Sequence, residues 1–308
     1  LEKWIHDMDS RWLRTWILGI SFILASCLGS GGEGSGSLRV TLSGEEGAKM
    51  GYPFTADGET IGFVDGWTLR FDEVVVGVAA LRLRGGDGDE APLAADAVVA
   101  SLHTEDPVAW EFEGVPARRW DRLSYSLRVP PADARNLGGV PEATLARMRA
   151  LGAALYVTGT ATSAAGRAVS FELHLPDAVA ADRCESGRDG RPGIVVAPSA
   201  RTDAELTVHL DHLFFDSLVV ETAEMRFEAL AAVADDGGRI TLDALAAQPL
   251  ADLRDGAGMP LRDEAGALLV YDPGSAPLAA PTLREFVRAS LGTVGHLDGE
   301  GHCDYARE

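Results

Sequence analysis

Residues 68–84 read TLRFDEVVVGVAALRLR and run directly into Gly85-Gly86-Asp87-Gly88-Asp89. No other segment constrains the fold as much. Val and Leu at this density suit a pleated, buried surface, and a Gly/Asp cluster ends a strand. The chain is therefore expected to be built on a β-sheet. Leu38–Leu42, Ala97–Leu102, Ala109–Glu113 and Arg119–Val129 read as further strands. In the last of these, Leu123, Tyr125 and Leu127 alternate with polar residues, the period of a half-buried strand. Val140–Leu151 departs from that period: Pro141 sits near a helix start, and Leu145, Met148 and Leu151 recur at helical spacing. Ala154–Thr162 and Arg167–Leu175 form a predicted hairpin around Ala164-Ala165-Gly166, residues 183–201 a loop, and Ala204–Leu210 a strand. Beyond them Glu221–Ala234, Leu242–Leu253 and Thr282–Leu291 are predicted helices, and no internal repeat is evident. Strands first and helices last imply an α+β chain. Its expected parts are a β-sandwich-like body over residues 38–203, then a strand and a helical region over 204–308 packing on the same body.

The N-terminus has a different character. Arg11 and Arg14 precede the apolar run Trp16–Ala25, which ends in Leu24-Ala25-Ser26-Cys27. Ten apolar residues are too few for a spanning helix, which needs roughly 20, but they have the length of a signal-peptide core. Small residues followed by a cysteine resemble the lipobox of bacterial lipoproteins. The resemblance implies cleavage before Cys27 and lipidation of that cysteine, so residues 1–26 are set aside from the fold. Residues 1–7 contain no Met and Met8 follows, so translation is expected to begin at Met8. Leu28 stands where an Asp tends to retain such proteins on the inner membrane, which favours the outer membrane. Gly29–Ser37 is nearly all Gly and Ser, so residues 27–37 are expected to form a lipidated, flexible tether.

A formal charge of −20 excludes nucleic acid and anionic lipid surfaces as partners attracted at long range. Of the three cysteines, Cys27 is assigned to lipid. Cys184 and Cys303 remain, an even pair for an oxidising compartment, and a disulfide between them is expected.

The residues with the most chemistry fall in two short segments. One runs Val208-His209-Leu210-Asp211-His212-Leu213-Phe214-Phe215-Asp216; the other runs Gly295-His296-Leu297-Asp298-Gly299-Glu300-Gly301-His302-Cys303-Asp304. On a strand, His209 and Asp211 project to one face, roughly 7 Å apart. His212 joins them only if the chain bends there. Glycines 295, 299 and 301 let the second segment fold tightly enough to turn His296 and His302 inward. Imidazole with carboxylate suits zinc, and imidazole suits copper. His209, Asp211, His212, His296 and His302 are thus the candidate metal ligands, for zinc before copper, with His174 and Glu172 as neighbours if the strands pair in register. Residues 234–243 resemble an EF-hand calcium loop, but aligning Gly238 and Ile240 with its invariant positions leaves three ligands missing, so calcium is not expected there. No nucleophile elbow occurs in the folded body, and a disulfide would cancel the His302–Cys303 pair, so enzymatic activity is not expected. The sequence therefore points to a lipid-anchored envelope protein that holds a divalent transition metal, with an envelope protein or a metal-uptake system as partner. The alternative is a metal-free module that grips a protein or glycan through Trp67, Trp110 and Trp120.

Overall fold

The computed structural model describes residues 34–56, 58–219 and 223–307. The lipobox and most of the tether lie outside the described residues. Twelve strands organise the fold: β1 Ser35–Ser43, β2 Thr68–Arg84, β3 Val98–Ser101, β4 Val108–Pro116, β5 Arg122–Leu127, β6 Leu155–Thr162, β7 Ala168–Leu175, β8 Val179–Asp182, β9 Arg201–Val208, β10 Arg239–Thr241, β11 Gly295–Leu297 and β12 Asp304–Arg307. One sheet has the order β11-β9-β1-β4; the other runs β10-β7-β6-β2-β5-β8-β12, with β3 also on β2. Side chains of both sheets meet in one hydrophobic cluster, a sandwich-like arrangement.

β2 shows how sequence and packing agree. Leu69 and Phe71 are buried while Thr68, Arg70 and Asp72 are exposed, the alternation of a strand with one wet face. From Val74 to Ala79 both faces are buried. The second face is covered by α2 (Glu142–Leu151), the second helix after α1 (Glu45–Met50), whose Leu145 and Met148 pack with Val75, Val99 and Tyr156. This is the predicted helix, and its apolar spacing is what seals the sheet.

β1 begins at Ser35, so the last residues of the Gly/Ser segment belong to a strand. Gly36 carries no side chain because a Cβ there would lie 2.2 Å from the Ala197 carbonyl oxygen. β1 pairs in parallel with β9, which brings residues 204–308 into the first sheet. β10 and β12 extend the second.

The helical C-terminal region is corrected. Among the described residues 43% are strand and 14% helix. Within Glu221–Ala234 only Glu228–Ala231 is helical among the described residues. Residues 224–226 instead hydrogen-bond with the chain at 214–216, because Met225 and Phe227 reach the core only from that extended path. Over Leu242–Leu253 a 3-10 turn, Asp243–Ala247, stops before Pro249, whose ring disfavours helical backbone at Gln248. The Thr282–Leu291 helix is present as α3 (Leu283–Ala289), capped by the Thr282 hydroxyl and followed by a 3-10 turn.

A short repeat emerges that periodicity did not reveal. Arg254 donates to the Gly258 carbonyl at 2.8 Å and Arg262 to the Gly266 carbonyl at 2.6 Å. Leu261 and Leu269 donate to the carbonyls of Leu253 and Leu261. Two hairpin turns of one construction are thus stacked eight residues apart, too short a period to register as a fold-level repeat.

Candidate metal centre

The two histidine segments meet because β9 and β11 pair. In that antiparallel ladder Thr207 faces His296 and Val208 faces Gly295. The His209 amide then donates to the Val294 carbonyl at 2.8 Å, continuing the pairing by one residue. His209 lies two residues beyond Thr207, so it shares a face with His296.

Immediately after His209 the chain turns into a 3-10 segment, Asp211–Phe214. Phe214 drives that turn. Its ring lies 5.4 Å from Phe63, 5.9 Å from Phe227 and 6.3 Å from Phe171, in the middle of an aromatic core. With Phe214 inserted, Asp211 and His212 project back toward His209. The resulting ring centroids are 4.3 Å apart for His209 and His296, 5.4 Å for His209 and His212, and 5.3 Å for His212 and His296.

The loop after β11 is held by its own side chains. Asp298, in the left-handed region at φ 56°, accepts from the Glu205 amide at 3.0 Å and from the Ser186 hydroxyl at 2.6 Å, and it pairs with Arg188 at 3.1 Å. Gly301 is pressed against backbone: a Cβ would sit 2.0 Å from the Glu185 carbonyl oxygen. These constraints place the Gly299 carbonyl 3.4 Å from His209 Nε2 and bring Glu300 to the cluster. Cys303 is joined to Cys184, so the segment is tied to the first sheet through β11 and held at its other end by the disulfide, just before β12 of the second sheet.

Among the described residues, two groups of ligand atoms lie within 4.8 Å of one another: His209, His296 and Glu300; and His209, Asp211 and His212. His302 is exposed, 5.3 Å ring to ring from His296, and belongs to neither group. Glu300, which lay inside the second segment, and Glu45, 3.8 Å from His209 Nε2, join the cluster instead. Nothing in the sequence marks Glu45, since the pairing of β1 with β9 alone brings it there.

His212 and His296 are 3% and 2% exposed, and the Nδ1 of each has no hydrogen-bond partner. His296 Nε2 donates to the Thr293 carbonyl at 3.0 Å, which leaves the lone pair on Nδ1. Burial pushes His212 down to about 3 and His296 down to about 4; neighbouring histidines add to both shifts, and the Thr293 backbone, joined at His296 by that of Glu300, opposes them. Both rings are therefore neutral and ligand-competent at pH 7. Burial raises the carboxyls of Asp211 and Glu45, with His209 pulling each back. A small cavity of about 70 Å³, lined by Glu45, Tyr52, Phe54, Ile61, His209 and Asp211 among others, gives the cluster an outlet.

His174 and Glu172 are elsewhere. His174 pairs in register with Tyr156, and Glu172 is held by Arg147, Tyr156 and Arg239. Asp235, in the segment resembling a calcium loop, spends its carboxylate on the amides of Gly237 and Arg239. Trp67, Trp110 and Trp120 are 2%, 4% and 2% exposed, so none is available as a surface anchor.

No family model and no curated protein matches the chain. Among solved structures it is similar to MbnP from Methylosinus trichosporium, at 14% identity over 87% of this chain and 97% of that one, with a TM-score of 0.30.

Proposed function

We propose that this is an exported, lipid-anchored protein that binds a divalent transition metal, zinc or copper, in exchange with its surroundings. One observation carries the metal reading: two deeply buried imidazoles present unpartnered Nδ1 atoms beside a third histidine and two carboxylates. Leaving a buried polar atom unpaired costs roughly 1–3 kcal/mol, and a metal ion removes that cost. Exposed Glu300 and the cavity beside His209 favour an ion that can enter and leave. Such an ion is cargo, which suits a partner in metal uptake. No helix among the described residues is long and apolar enough to cross a membrane; the attachment proposed is through lipid at Cys27.

The test is calorimetric titration of zinc and copper into the full chain, exported, purified in detergent and stripped of metal. Tight, saturable binding is expected. His209→Ala, which removes the ligand common to both groups, is expected to weaken it by more than about 100-fold, beyond the usual effect of losing an outer partner. Wild-type protein that binds neither ion would end the proposal. Attachment is tested separately. Cys27→Ser is expected to abolish incorporation of labelled fatty acid and to release the protein from the membrane fraction; unchanged labelling would refute lipidation at Cys27.

A further inference from the structure

We infer that the cluster holds two divalent transition-metal ions, one at each ring nitrogen of His209. This rests on the metal-binding reading above and extends it to a second site.

The ligand atoms divide in that way. His209 Nδ1 faces Asp211, at 3.9 Å from Oδ1. Its Nε2 faces the opposite direction, toward the Gly299 carbonyl at 3.4 Å and Glu45 at 3.8 Å. The other two buried histidines separate accordingly, His212 grouping with Asp211 and His296 with Glu300. Each group thus contains one imidazole that is at least nine-tenths buried and whose Nδ1 is unpartnered. A single ion beside His209 would satisfy one of these nitrogens and strand the other in a buried setting, at the cost already described.

Each position then has an imidazole from His209, a second imidazole and a carboxylate. Three protein ligands with the fourth position open to water are a normal zinc set. The inner position uses His209 Nδ1, His212 and Asp211. The outer one uses His209 Nε2, His296 and Glu300, with Glu45 within reach.

Charge points the same way. A bridging imidazole gives up its remaining ring proton to solvent and carries one negative charge. With Asp211, Glu300 and Glu45 it supplies four negative charges, matching two divalent ions.

Metal content and stoichiometry decide the matter, measured on the full chain in detergent with zinc as the probe. Two equivalents are expected for the wild type. Asp211→Asn and Glu300→Gln are each expected to retain one; the first is isosteric and the second changes an exposed side chain, so both should fold. Copper(II) supplies an independent readout, because two ions joined through one imidazole couple magnetically. The paramagnetic resonance signal should grow over the first equivalent and fall over the second. A single equivalent weakened by both substitutions would overturn the second site while keeping the metal-binding reading. Two equivalents whose signals add would overturn the sharing of His209. Absence of binding in the wild type would remove both readings.

Discussion

Replacing Cys184 and Cys303 together by serine is expected to lower the unfolding free energy by about 4–5 kcal/mol. The bond spans 119 residues, and closing so long a loop removes much of the freedom of the unfolded chain. For a body of this size the loss corresponds to a fall in melting temperature of roughly 8–20 °C. The position matters as much as the length. Cys303 stands three residues beyond Glu300, and β12, which follows it, is the outermost strand of the second sheet. Without the crosslink that edge and the loop carrying Glu300 rely on the pairing of β12 with β8 and on Asp298. The double variant should therefore also bind zinc more weakly. Thermal melts of metal-free wild type and variant are the measurement. Coincident melts would mean that the denatured chain is already as restricted without the bond.

Acidifying the metal-free protein from pH 7 to pH 5 is expected to destabilise it by roughly 3–4 kcal/mol, or about 6–15 °C in melting temperature. His212 and His296 have folded values of about 3 and about 4, below the ordinary histidine value. Between those values and about 6.5 the unfolded chain binds protons that the folded chain refuses, so stability falls as pH falls. Each ring contributes roughly 2 kcal/mol of this at pH 5. Asp211 and Glu45 work in the opposite direction, because their raised carboxyls take up protons more readily in the folded state. Melts in chelator at both pH values test the point, with a His212→Gln/His296→Gln variant expected to show a flatter profile. Equal melting temperatures for the wild type at pH 7 and 5 would mean that the two rings are not buried in neutral form.

The strands were legible because their cause is local. Alternation in Arg119–Val129 and the long run of β2 report a pleated surface directly, as the spacing of Leu145 and Met148 reports α2. Two of the three predicted C-terminal helices are reduced to single turns among the described residues, and the first, over Glu221–Ala234, for a reason that lies outside its own residues. Met225 and Phe227 stand two residues apart, the period of a strand, and the bonds offered by residues 214–216 hold them in it, although the Ala and Leu residues that follow carry a helical spacing. Pro249, by contrast, was a readable stop inside the predicted Leu242–Leu253 helix.

Sequence alone determined the chemistry available: which side chains could ligate a metal, that Cys184 and Cys303 could pair, and that a segment resembling a lipobox precedes the body. Tertiary structure decided which of them converge. Imidazole and carboxylate are properties of residues, visible one position at a time. The meeting of His209 with His296 depends on the register of β9 against β11, the arrival of Glu45 depends on β1 lying beside β9, and His302 is left at the rim by a turn fixed through Asp298. Each of those is a contact across a long stretch of chain, and only the packed molecule specifies it.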